Sequence, residues 1–224
     1  MCSLSDWNDM IELTLLQKIA IYALPVIFAI TLHEAAHGYA ARHFGDSTAY
    51  MLGRISLNPL RHIDPVGTVL VPLLTMLVGG ILFGWAKPVP VNFANMRDPK
   101  KNMLWVAAAG PLSNLAMAIG WALVMKLSTL MPDSSLSLPM ALMGKAGVTI
   151  NAVLLVLNLL PLPPLDGGRI MVSLLPHNLA WRFAGLERYG FFILIALLFL
   201  GMLDWILWPL INLTVGSIFM LFGI

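Results

Sequence analysis

Charge is the scarcest property of this 224-residue sequence. Only 11% of its residues are Asp, Glu, Lys or Arg and 59% are hydrophobic, whereas a soluble domain carries about 25% charged residues. That excludes an ordinary water-soluble globule. Cysteine is nearly missing as well: the single Cys2 excludes an internal disulfide and a zinc site built from several thiolates. Residues 1–13 lack the basic stretch of a secretory leader and carry Asp6, Asp9 and Glu12, so no signal peptide is expected there. A net charge of +2 offers no basic face, and no nucleic-acid partner is expected. The sequence shows no internal repeat, no low-complexity tail and no stretch that would make a separate soluble domain.

What remains is a series of long apolar tracts, each near the 20 or so residues that cross a bilayer. The first runs from about Leu13 to Phe44, and a second, Val66 to Gly84, contains Pro72 and Gly79-Gly80. A third spans about Met103 to Leu127 and a fourth about Leu142 to Leu160, which leads into Pro161-Leu162-Pro163-Pro164-Leu165-Asp166-Gly167-Gly168. The last, Phe191 to Ile224, is long enough for two short helices broken near Asp204 and Pro209, or for one bent helix. Between the second and third lies Trp85–Asn92, whose spaced prolines and valines suit an extended or edge-strand backbone. The expected class is an all-α polytopic membrane protein.

Basic residues in short loops orient such a chain. Arg42 at the end of the first tract and Arg54 and Arg61 after it, Lys87, Arg97, Lys100 and Lys101 before the third, and Arg169, Arg182 and Arg188 after the fourth are the basic residues that decide here. These ends are expected on the cytoplasmic side, with the N-terminus outside. Val66–Gly84 then has both ends on one side and is expected to be re-entrant, its Pro and paired Gly agreeing with irregular backbone buried in protein. By length alone it also suits an ordinary transmembrane helix.

Three ionisable residues cluster in the second half of the first tract: His33, Glu34 and His37, in the run His33-Glu34-Ala35-Ala36-His37. Positions i and i+4 share a helix face, so both imidazoles can bind one metal ion while Glu34 reaches a water beside it as general base. Ionisable groups in an apolar helix are costly and functional by default; a histidine pair hydrogen-bonded inside a bundle is the bland alternative. A catalytic zinc takes three protein ligands. The candidates for the third are Asp166, Asp204, Glu187, His43, His62 and His177. Asp166 stands out, because a proline-rich break frees the backbone before it and Gly167-Gly168 after it permits close approach. Its bland reading is a helix N-cap. A re-entrant second tract brings His37 and Asp166 to the same membrane side.

Together with Gly110-Pro111-Leu112-Ser113-Asn114 and Asn158-Leu159-Leu160-Pro161, these motifs resemble the site-2 protease family of intramembrane zinc metalloproteases over residues 33–168. The resemblance implies a three-helix catalytic core with a short re-entrant or β-like segment, and a C-terminal helical tract. It implies one Zn2+ per chain held by His33, His37 and Asp166, with Glu34 as catalytic acid/base. Asn114 and Asn158 are implied near the active centre, binding substrate backbone or transition-state oxygen; asparagines in membrane helices equally serve as interhelical glue. The implied partners are a transmembrane protein substrate and the lipid bilayer, in a bacterial plasma membrane. The chain looks like a minimal form without PDZ or CBS domains, with residues 1–170 as core and 171–224 as C-terminal helices, a possible substrate gate. The rival reading is an ion or proton transporter using intramembrane His and Asp.

Overall fold

The computed structural model describes residues 13–70 and 86–224. Helix α1, Leu15–His43, begins with a capping box: Thr14 Oγ1 accepts the Gln17 N–H, and Gln17 Oε1 accepts the Thr14 N–H. A short helix α2, Thr48–Met51, follows. Helix α3, Pro99–Thr129, starts where Asp98 accepts the Lys101 N–H and Pro99 occupies the first turn. Helix α4 covers Ser137–Leu159, α5 Asp166–Leu174, α6 His177–Ala184, α7 Glu187–Phe199 and α8 Met202–Phe222. The described residues contain no strand.

Four of these helices, α1, α3, α4 and α8, are long and apolar enough to cross a membrane. The protein is an all-α polytopic integral membrane protein. Its outward side chains are those that lipid tolerates and water does not: Leu16, Phe192, Leu213 and Met220 are each about two-thirds exposed or more. Without a hydrophobic drive between helices in lipid, association depends on close packing of small residues. Ala118 and Ala122 of α3 face Val148, Ala152 and Val156 of α4, and Gly144 and Gly147 lie against Met125 and Trp121. Leu203, Leu207, Ile211, Val215 and Ile218 form one buried stripe of α8 against the same cluster. The C-terminal helices thus share a core with α3 and α4, and α5 runs through position 170.

The last apolar tract divides earlier than expected. Its break falls at Leu200–Gly201, with Gly201 at φ +68°, and Asp204 lies in the first turn of α8, where a helix favours a carboxylate. Pro209 sits within α8 without ending it.

The ends of the chain segments fix the site. Arg97 donates to the carbonyl of His43 at 2.9 Å, so the start of α3 lies beside the end of α1. Pro65–Leu70 form a π-helical turn, and residues 71–84 of the expected re-entrant tract lie outside the described residues. On its two sides, the Lys87 N–H donates to the His62 carbonyl at 2.9 Å. Residues 86–92 run without helix or strand, and Asn92 has extended backbone.

Candidate metal centre

Pro25, Ala29 and His33 repeat at i, i+4 along the inner face of α1, and His37 continues the row. The two rings meet edge to face with centroids 4.7 Å apart. Beneath them passes α3 at Gly110, where a Cβ would come within 2.6 Å of both His33 Cε1 and His37 Cε1. Only glycine lets the backbone of α3 lie this close to both imidazoles.

Each ring is held by its far nitrogen. His37 Nδ1 lies 2.7 Å from the Val106 carbonyl, and His33 Nδ1 lies 2.6 Å from Asn114 Oδ1. A carbonyl oxygen only accepts, so both rings carry a proton on Nδ1, and the neutral form of each ring then offers the lone pair of Nε2. The orientation of Asn114 is fixed in turn, since its Nδ2 donates to the Ala29 carbonyl at 3.3 Å and to Asn151 Oδ1 at 3.0 Å.

Asp166 approaches from the other half of the chain. Helix α4 stops at Leu159, the Pro161–Pro164 stretch turns, and α5 opens on Asp166 with Gly167 and Gly168 lying against the carbonyl of Leu160 and the backbone of Pro163. Asp166 Oδ2 lies 3.2 Å from His33 Nε2 and 3.3 Å from His37 Nε2, and the two Nε2 atoms are 3.1 Å apart. This oxygen is buried and, among the described residues, has no hydrogen-bond partner. Three lone-pair-bearing atoms facing one another in a buried space repel unless a cation lies between them. A tetrahedral zinc with ligand bonds of about 2.0–2.1 Å sets its ligands about 3.3–3.4 Å apart, and the observed triangle has nearly that size. The three residues can therefore hold one metal ion.

Glu34 lies beside this triangle, and its Oε2 accepts the backbone N–H of Val89 at 2.8 Å. With His33, His37 and Asp166 it lines a cavity of about 140 Å³ that Pro88, Val89 and Phe93 also border. The covering segment is itself pinned. Asp46, wholly buried, accepts the Asn92 N–H at 2.7 Å, the Asn95 side-chain amide at 3.1 Å and both Thr48 N–H and Oγ1. Burial opposes the charge on Asp46, and the hydrogen bonds, led by Thr48 Oγ1, outweigh it and hold the carboxyl below its ordinary range.

Comparison with known proteins agrees with this geometry. "Putative zinc metalloprotease YwhC" of Bacillus subtilis is 39% identical over 203 residues, covering 89% of this chain and 90% of that protein. The chain belongs to the site-2 protease family. "Putative zinc metalloprotease Rip2" of Mycolicibacterium smegmatis is 32% identical over 176 residues, or 77% of this chain and 64% of that one. Rip2 of Mycobacterium tuberculosis is 35% identical over 156 residues, covering 67% and 54%. No family model and no solved structure matches.

The family is one of zinc metalloproteases, and Zn2+ is the cofactor that the donor set of two imidazoles and one carboxylate fits. The structure brings His33, Glu34, His37 and Asp166 to one cavity. Asn114 sits behind His33, bonded to its Nδ1. Asn158 borders the cavity, and its Nδ2 donates to the Leu154 carbonyl of its own helix. Arg169 borders the cavity and lies 3.7 Å from Glu187. Of the other ligand candidates, His62 is buried with Nε2 2.8 Å from the Ser56 carbonyl. Sequence reasoning missed Asn151, the Val106 carbonyl and Asp46. Asn151 carries a signal, an amide inside an apolar helix, whereas a backbone carbonyl carries none.

Proposed function

We propose that this chain is an intramembrane endopeptidase that hydrolyses peptide bonds of transmembrane-helix substrates, with His33, His37 and Asp166 as zinc ligands and Glu34 as general base and acid. The observation that supports it is the triangle of His33 Nε2, His37 Nε2 and Asp166 Oδ2, with sides of 3.1–3.3 Å, opening on the same cavity as Glu34. Bound zinc supplies Lewis acidity, lowering the pKa of a water to about 7 and polarising a carbonyl oxygen.

The chain's own residues do the rest. Glu34, held by the Val89 N–H, takes a proton from the attacking water as it adds to the scissile carbonyl carbon. It then returns that proton to the leaving amine nitrogen as the C–N bond breaks. Gly110 and the Val106 and Asn114 acceptors keep both imidazoles turned toward Asp166. A helical amide is shielded by its own hydrogen bonds, so the substrate unwinds before cleavage, and segment 86–92, which is neither helix nor strand, receives it by strand addition. Residues 171–224 act as the gate through which it enters. The basic residues at the cavity end, among them Arg42, Arg97, Lys100 and Lys101, favour a cytoplasmic site and an external N-terminus in a bacterial plasma membrane.

The test uses the full chain in proteoliposomes with a single-span model substrate. Glu34→Gln should remove cleavage while zinc content stays at one per chain. Cleavage retained by Glu34→Gln refutes the mechanism, and ion flux with no cleavage supports the transporter reading instead.

A further inference from the structure

Asn114 and Asn151 are both wholly buried, on α3 and α4, at the depth of the metal centre. Burying two amides in an apolar bundle is costly unless every polar atom is used, and here they form a directional chain. Asn151 Nδ2 donates to the Gly147 carbonyl at 2.9 Å, which turns its Oδ1 toward α3. That oxygen accepts from Asn114 Nδ2 at 3.0 Å. Asn114 Oδ1 is left facing His33 Nδ1 at 2.6 Å, and His33 Nε2 faces Asp166. Each amide can point only one way, because the chain starts on a backbone carbonyl, which cannot donate.

We infer that Asn151 is a positioning residue for zinc: through Asn114 it fixes the tautomer and ring direction of His33 from the far side of α3. This rests on His33 being a zinc ligand, as proposed above. Without Asn151 the amide of Asn114 is steered by the Ala29 carbonyl alone, at 3.3 Å the longer of its two donor bonds. Asn114 can then flip its Nδ2 toward His33, which demands the opposite tautomer and puts the proton where the metal must bind. Groups that orient a metal-bound histidine in this manner change affinity by about 10–100-fold when removed.

Asn151 touches neither the cavity nor the metal triangle, which makes the inference separable from simple helix glue. The experiment measures zinc affinity of the purified full chain in detergent by chelator competition, with the visible spectrum of the cobalt-substituted protein and thermal unfolding alongside. Asn151→Leu, which keeps the branched side-chain skeleton and has no polar atoms, should weaken zinc binding about 10–100-fold and alter the cobalt spectrum. Asn151→Asp, neutral in this buried site, donates to Gly147 and accepts from Asn114 as the amide does, and should bind zinc like the wild type. Val148→Ala, a truncation in the same helix within the apolar core, should lower thermal stability and leave affinity unchanged. Asn151→Ala is the second variant should the leucine fail to fold, with the same loss expected. Undiminished affinity in the leucine or alanine variant, loss in Asn151→Asp, or loss that tracks thermal stability through Val148→Ala overturns the inference. A wild type that binds no zinc refutes the underlying metalloprotease reading as well, whereas a zinc-loaded wild type matched by Asn151→Leu refutes this inference alone.

Discussion

Among the described residues, the carboxylate of Glu34 is held by one backbone amide: Val89 N–H donates to Glu34 Oε2 at 2.8 Å, from a loop tied to the end of α1. The residue assigned the proton transfer is thus positioned by the segment that covers the cavity.

Deleting that one donor tests the link. Val89→Pro removes the N–H. A hydrogen bond to a charged group contributes about 1.5–3 kcal/mol, so kcat on a model substrate should fall at least tenfold. Zinc content, measured by elemental analysis, should not change.

Gly110→Ala places a methyl group against both histidine rings. Overpacking of this kind costs about 1–3 kcal/mol, and here the strain falls on the donor atoms, so zinc occupancy should drop sharply. Gly120→Ala in the same helix meets nothing within 4 Å and should change thermal stability by less than about 1 kcal/mol. Equal zinc occupancy in the two variants would contradict the close approach of α3.

Asp46 makes stability depend on acid. Its folded carboxyl titrates below the ordinary value of 3.8. Its stabilisation is therefore complete above pH 3.8 and is lost as pH falls through the lower folded value. Thermal unfolding in detergent should show this loss below about pH 4 in the wild type. Asp46→Asn, which cannot titrate, should show less of it and be less stable at neutral pH by about 1–3 kcal/mol.

Metal removal has a thermodynamic signature. A ligand that binds only the folded state adds about 2.7 kcal/mol at one hundred times its Kd. Zinc should raise the unfolding temperature of the wild type, and chelation should reverse the rise. In Asp166→Ala, with one of the three donors gone, the same zinc concentration should produce no shift.

How far the sequence discloses this architecture depends on the range of the interaction. The apolar tracts at Leu13–Phe44, Met103–Leu127 and Leu142–Leu160 became α1, α3 and α4, because composition decides which stretch can enter lipid. Their starts drifted: α3 begins four residues earlier at the Asp98–Pro99 cap, and α4 five residues earlier, with Pro139 tolerated in its first turn. His33, Glu34 and His37 were legible through i, i+4 spacing, and Asp166 through the proline break that precedes it. Asn151 and Asp46 were not. The partner of Asn151 lies 37 residues away on another helix, and those of Asp46 include Asn92 and Asn95 beyond the undescribed stretch. Their use depends on which faces meet, and periodicity within one helix holds no record of that.

The position of His37 along α1 has one further consequence. Six residues separate it from the end of the helix at His43, a rise of about 9 Å. Water entering from that end has only a few molecular diameters to travel before it reaches Glu34. The opposite run of α1, from Ile19 to Ile30, carries no charged residue over about 18 Å. Hydrolysis here calls for a shallow aqueous well, and the bilayer can stay sealed to ions behind it.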